Sequence, residues 1–308
     1  MGIIARHYQK EFVHRFDKEI GVPYYETKDF PHLKEEKDTF VNKKGLKIAY
    51  FYFYYEGYQK DEIILFLPGL SCGHVAYFRE INEIASRGYK VLTIDYTGCG
   101  ESEGKCLGSL NAPTSDVIDL LNLLKLKEEI KIVGHSLGGY TALNLMNLRK
   151  ELTRGVVISP FIDIEAIIKN FVPNKFILKR VLKYENKVSG QYSLLNNLVY
   201  LRAMHDDLLF IHSTDDQMVP YEVSTKKVEE LNNPQIKFII RNNRKHNPQY
   251  TDDAVKYLND VFNQFYTLIN EKKIVTDEDK KNYFKDVSLE RLTNQDPEIT
   301  NAIINFLK

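Results

Sequence analysis

Short unbroken apolar runs, each closed by turn residues, alternate along this chain with longer stretches whose apolar positions recur every three to four residues. The clearest run is Ile63-Ile64-Leu65-Phe66-Leu67, stopped by Pro68-Gly69. A continuous run of that length fits a strand covered on both faces. Residues 46–55, dense in Tyr, Phe and Ile, predict a strand before it, with a turn over 56–61. Downstream, strands are predicted over 90–94, 129–133, 155–159, 208–212 and 235–240. Helices are predicted over 75–87, 115–127, 136–149, 221–231 and 252–269. Strands alternating with helices imply parallel crossover units in one central sheet, an α/β fold with helices on both faces.

Three stretches break this rhythm. Ile3, Ile4, Tyr8, Phe12, Phe16 and Ile20 lie at helical spacing, so an amphipathic helix over 3–20 opens the chain, stopped by Gly21 and Pro23. The segment between 160 and 207 is long and helix-like. Near the end, Asp296-Pro297 reads as an N-cap with proline in the first turn, and Ile299, Ile303 and Phe306 share a face that water would not favour. The tail is therefore expected to pack on the body. The division expected is 1–44 (helix and connector), 45–160 and 208–270 (the two parts of the core), 161–207 (a helical insertion) and 271–308 (a helical extension).

Of the 308 residues 43% are hydrophobic and 27% charged, a balance that argues against disorder. The 42 basic and 42 acidic side chains cancel, so no long-range field draws the protein to nucleic acid or an anionic membrane. No apolar run approaches the roughly 20 residues of a membrane span, and MGIIARHYQKEF lacks the apolar stretch of a signal peptide. Arg6 stands where a myristoylation motif on Gly2 would need Ser or Thr. Cys72, Cys99 and Cys106 form no paired framework, which suits a reducing compartment. Together these predict a cytoplasmic protein.

The strongest chemical signal is Gly134-His135-Ser136-Leu137-Gly138, set between a strand and a helix. That is the setting of a nucleophile elbow, where the chain reverses around a serine whose hydroxyl projects above the sheet. Such a turn leaves no room for side chains at Gly134 or Gly138. A neutral hydroxyl is a weak nucleophile, so a base is needed beside it and an acid to orient that base. Strand 208–212 delivers Ser213-Thr214-Asp215-Asp216, and strand 235–240 delivers a loop holding His246, the only histidine after the last strand. Either aspartate could serve. Backbone N–H groups of Leu137 and of Leu70, in the loop after Leu67, are the candidate oxyanion donors.

With these residues the sequence resembles the α/β-hydrolases across 45–270, and more narrowly bacterial α/β-fold serine hydrolases of esterase type. Asp29-Phe30-Pro31, the loop Asp95-Tyr96-Thr97-Gly98-Cys99-Gly100-Glu101-Ser102 continuing to Gly104, His246-Asn247 leading into Ala254–Asn259, and the tail Ile303-Ile304-Asn305-Phe306 carry the resemblance. Asp216, followed by Gln217-Met218-Val219-Pro220, resembles the D-x-x-V-P ending of the family's acid, so the resemblance prefers it to Asp215. It also implies that loop 95–102 supports the site, and that the insertion forms a lid. Pro68, Ser71-Cys72 and Ser213 depart from the family pattern without removing a catalytic group.

The expected function is a Ser136–His246–Asp216 carboxylesterase acting through an acyl-enzyme on small or medium apolar acyl esters. Rival readings are a thioesterase, peptidase or acyltransferase using the same triad, or a non-catalytic small-molecule binder on the same fold. No cofactor and no metal are implied. The partner expected is a small ester or acyl substrate, with no nucleic acid and no membrane span. His74 is expected to tie down the oxyanion loop, and His135 to be structural and turned away from the pocket. His205, Asp206, His212, Asp215 and Asp216 follow no compact metal spacing. The apolar positions of the insertion suit either packing on the core or an acyl pocket.

Overall fold

The computed structural model describes residues 2–58 and 61–308, so residues 59–60 of the expected turn and Met1 lie outside it. In chain order the elements are α1 (Ile3–Phe12), β1 (Leu33–Val41), β2 (Lys47–Tyr55), β3 (Glu62–Leu67), α2 (Phe78–Ala85), β4 (Lys90–Ile94) and α3 (Ala112–Leu124). There follow β5 (Glu129–His135), α4 (Leu137–Leu148), β6 (Arg154–Ile158), α5 (Ile164–Phe171), α6 (Lys175–Ser189), α7 (Asn197–Ala203) and β7 (Asp207–Ser213). The chain ends with α8 (Thr225–Glu229), β8 (Ile236–Arg241), α9 (Asp252–Asn270), α10 (Asp277–Phe284), α11 (Leu289–Leu292) and α12 (Pro297–Phe306). The eight strands form one sheet in the order β1-β2-β4-β3-β5-β6-β7-β8. Strands β3 to β8 pair in parallel, while β2 meets both β1 and β4 antiparallel.

The apolar runs explain why the sheet is covered twice. On β3, Ile63, Leu65 and Leu67 enter a layer built with α1, α3, α4 and the insertion. Ile64 and Phe66 enter the opposite layer with α2 and α12. Successive side chains point to opposite faces, so a strand buried on both must be apolar throughout. The tail joins this second layer through Ile299, Ile303, Ile304 and Leu307, after an N-cap at Asp296, whose carboxylate accepts from the Glu298 N–H. Lys131, buried on β5, donates to the Leu307 carbonyl at 2.7 Å and pairs with Glu62 at 2.9 Å. Helices α9 to α11 enclose a small core of their own around Phe265 and Phe284.

The structure corrects the expected elements at four places. The opening helix stops at Phe12, because residues 13–16 pair with the loop after β4 instead. Phe16 exchanges backbone hydrogen bonds with Gly98 and Gly100, and the Arg15 guanidinium reaches the carbonyls of Gly100, Ser102 and Gly104. Strand β1 falls in what reads as a charged connector; only Leu33 and Phe40 are buried along it. A charged row along an exposed edge discourages pairing with another chain, and it also hides the strand from an apolar pattern. The helix expected over 75–87 begins as a 3₁₀ turn, Gly73–Tyr77, and that over 221–231 is divided into the 3₁₀ turn Tyr221–Val223 and α8.

Candidate active site

The turn between β5 and α4 is forced by contact. Ser136 has φ +53° and ψ −117°, a conformation that costs an L residue energy and persists only where its surroundings hold it. They do so here through hydrogen bonds from the Ser136 N–H to the Ile158 carbonyl at 2.8 Å and from the Tyr140 N–H to the Ser136 carbonyl at 3.0 Å. A Cβ on Gly138 would lie 1.9 Å from the Leu67 carbonyl oxygen, and one on Gly134 2.3 Å from the Gly138 oxygen. Both glycines are therefore required by close backbone approach. Ser136 itself is half-buried.

The two aspartates after β7 differ in what they face. Asp216 Oδ2 lies 2.7 Å from His246 Nδ1, and Oδ1 accepts from the N–H groups of Met218 and Val219, both at 2.9 Å. Asp215 accepts instead from the Ser213 hydroxyl and the Lys245 N–H, bracing the same loop from outside. Burial alone would raise the Asp216 carboxyl. Hydrogen bonds from His212 and His246, the latter's charge and the Val219 N–H outweigh it, holding the group well below the usual carboxylate range.

Three residues organise this arrangement. The sequence offered His212 only within a set of no compact metal spacing, and it did not single out Tyr77. His135, expected to be structural and turned away from the pocket, lies with its ring 4.8 Å from that of His246. His212 Nε2 lies 2.9 Å from the Val219 carbonyl and 3.2 Å from Asp216 Oδ2. Since a carbonyl only accepts, that nitrogen carries the proton and shares it with both oxygens. His135 Nε2 likewise donates to the carbonyl of His246 at 2.9 Å, which makes its Nδ1 an acceptor for the Tyr77 hydroxyl at 2.8 Å. Burial, and then the neighbouring His246, push the His135 imidazole down to about 3, so it stays neutral. Tyr77 in turn backs Gly69, where an added Cβ would meet its hydroxyl at 2.5 Å. The residue beside Ser136 thus joins the 68–70 loop to the histidine loop. Two histidines on strand ends and one tyrosine in a 3₁₀ turn have no shared spacing, so no sequence signal could have shown that they act together.

Leu137 opens α4, so its N–H is among the four with no acceptor within the helix. Leu70 is 40% exposed, on a loop fixed by the Tyr96 hydroxyl donating to the Pro68 carbonyl at 3.0 Å. The loop after β4 supports the edge: Asp95, fully buried, accepts from the His74 N–H and ring at 2.7 and 3.0 Å and from the Glu101 N–H at 2.9 Å. His74 therefore ties its own segment to Asp95. His205 is exposed and Asp206 accepts from the Tyr200 hydroxyl, so these two stand apart from His212. Among the described residues no three His, Cys, Asp or Glu side chains cluster to hold a metal. Cys72 and Cys99 are buried, and burial pushes both thiols up, away from the reactive thiolate.

A family model described as serine aminopeptidase, S33, matches residues 58–207, a span that carries Ser136 and ends short of Asp216 and His246. The chain is similar to the Pyrococcus furiosus esterase Pf2001, with a TM-score of 0.58 and 20% identity over 83% of this chain and 96% of that one. It is 24% identical over 220 residues to the uncharacterized protein R595 of Acanthamoeba polyphaga mimivirus, covering 67% of this chain and 74% of the relative. It is 27% identical over 175 residues to the zebrafish (Danio rerio) lysophosphatidylserine lipase ABHD12, covering 51% of this chain but only 44% of that enzyme. The chain has the α/β-hydrolase fold. The family match and these relatives support a hydrolase, one that resembles esterases.

Proposed function

We propose that the protein is a serine hydrolase cleaving carboxylic esters of small or medium apolar acyl groups. Ser136 attacks the carbonyl carbon, and His246 takes its proton and then returns it to the leaving alcohol. Asp216 holds His246 in the tautomer whose Nε2 is free to accept, and the N–H groups of Leu70 and Leu137 stabilise the tetrahedral oxyanion. Water then releases the acyl group by the same route. What supports the reading is a serine held at positive φ on the same turn to which His135 anchors the His246 carbonyl, with the His246 imidazole bonded to an ionised Asp216. Three unpaired cysteines are in keeping with a cytoplasmic setting. Ser136→Ala is expected to lower p-nitrophenyl butyrate turnover by at least about 10³-fold and to abolish fluorophosphonate labelling, with the fold retained. Unchanged turnover would refute it.

The match to a serine aminopeptidase model favours one second reading, cleavage of an amide bond by the same residues. Turnover of matched ester and aminoacyl anilide substrates separates the two, and a large preference for the anilide would select the second.

A further inference from the structure

The zero net charge conceals a segregated one. Between residues 161 and 206 the sequence holds seven basic and four acidic side chains, and one acid, Glu185, is buried inward against Tyr8 and Ser109. On α6 the lysines 175, 179, 183 and 187 fall at a spacing of four, which places them along one stripe of the helix. All four are exposed, as is Arg180, and none has an ion-pair partner among the described residues.

Apolar side chains accompany this stripe. A groove of about 1600 Å³ runs between the start of α1 and the helices α5 and α6, with Ile3, Ile4, Leu178, Leu182 and Val188 among its walls. Six basic side chains line it against one carboxylate, Glu165. Ile3 is 86% exposed and Phe176 62%, and Arg180 stacks on the Phe176 ring at 4.8 Å rather than meeting an acid. A soluble protein has no folding reason to gather unpaired cations and bare aliphatic groups on one face.

We infer that the α1–α6 face of the helical insertion is a docking surface for an anionic lipid bilayer, with the lysine stripe against the headgroups and Phe176, Ile177 and Ile3 among the acyl chains. Charge complementarity selects the occupant. An acidic protein would satisfy the cations but leave the exposed aliphatics in water, and a neutral bilayer would leave the cations unpaired. A basic, apolar-edged helix lying in the plane of the interface meets both demands. This inference is independent of the catalytic reading, because no residue of the stripe takes part in the proposed reaction.

The test is co-sedimentation of the full chain with vesicles of phosphatidylcholine alone and of phosphatidylcholine with 30% phosphatidylglycerol. Binding is expected only to the anionic vesicles, falling steeply between 50 and 300 mM salt as the charges are screened. The Lys175→Glu/Lys179→Glu/Lys183→Glu variant should lose at least about tenfold in partitioning while hydrolysing a soluble ester at the wild-type rate. Phe176→Ser should weaken binding without changing its salt dependence. Ser136→Ala should bind as wild type, so a failure of the esterase reading leaves this result legible. Absent or salt-insensitive binding, equal binding to neutral vesicles, or full retention by the triple variant would each overturn the inference. So would polyglutamate displacing the protein from vesicles at equal charge, which would assign the face to an acidic protein partner.

Discussion

Two buried carboxylates, one at the carboxyl edge of the sheet and one beneath the helical insertion, are treated in opposite ways. Asp216 is surrounded by two imidazoles and two backbone N–H groups and is held below the usual carboxylate range. Glu185 receives the Tyr8 and Ser109 hydroxyls and the Leu110 N–H, yet burial wins and raises it. The donor counts are similar. What differs is that an imidazole can carry positive charge, whereas hydroxyls and an amide cannot. The edge thus keeps an anion beside the histidine, while the seam between α1 and α6 is closed around an acid that burial drives toward its neutral form.

The largest effect that would break this contrast is expected at the edge. Asp216→Asn should lower kcat by about 10⁴-fold through loss of the histidine's orientation, measured on p-nitrophenyl butyrate. Asp215→Asn should cost only a few-fold. Equal losses would mean that the two aspartates share the role. Gly138→Ala comes next: with the Leu67 oxygen 1.9 Å from the new Cβ, the elbow must open, and a destabilisation of more than about 4 kcal/mol is expected by urea denaturation. Alanine at Lys179, on the exposed stripe, should stay within about 0.5 kcal/mol of wild type.

Tyr77→Phe sharpens the comparison on a smaller scale. It leaves the buried His135 Nδ1 without its donor, a loss of about 1–3 kcal/mol, with a lower kcat if the histidine loop then shifts. An unchanged midpoint in urea would show that the bridge carries no weight. The smallest effect concerns pH. Because Glu185 is raised in the folded protein, its contribution is complete below the ordinary glutamate range and is lost as pH rises through the folded value. Asp216 is depressed, so its contribution is present at neutral pH and is lost only as acid protonates it. Protection factors of α1 amides, with the intrinsic base-catalysed rate divided out, should accordingly fall as pH rises in the wild type and stay level in Glu185→Gln. An unchanged profile in the variant would locate the dependence elsewhere.

The parallel core was legible because its strands are buried on both faces and must be apolar throughout, as Ile63–Leu67 shows. Strand β1 was not, since an edge strand needs few apolar residues and benefits from charge. Periodicity extended the first helix to Ile20, whereas long-range pairing of Phe16 with Gly98 and Gly100 accompanies its end at Phe12. At the site, Ser136 was proposed from the glycines that its turn requires and His246 from its place after the last strand, whereas place alone left Asp215 and Asp216 open and only the family resemblance preferred Asp216. His135, His212 and Tyr77 act through contacts across 111, 4 and 58 residues of chain, and isolated polar residues carry no pattern that announces such partners. Net charge was the least informative quantity, because a balance of zero says nothing about where the cations gather.

The grip of His135 on residue 246 falls on its carbonyl oxygen, an atom that every amino acid possesses. Replacing the imidazole therefore removes the proton carrier and leaves the main-chain tether in place. His246→Ala should keep its loop moored to the elbow, so that an activated ester could load Ser136 slowly and then find no base to summon water. Such a stalled covalent adduct, weighed by intact-protein mass spectrometry, would let the enzyme itself report which acyl group it prefers to carry.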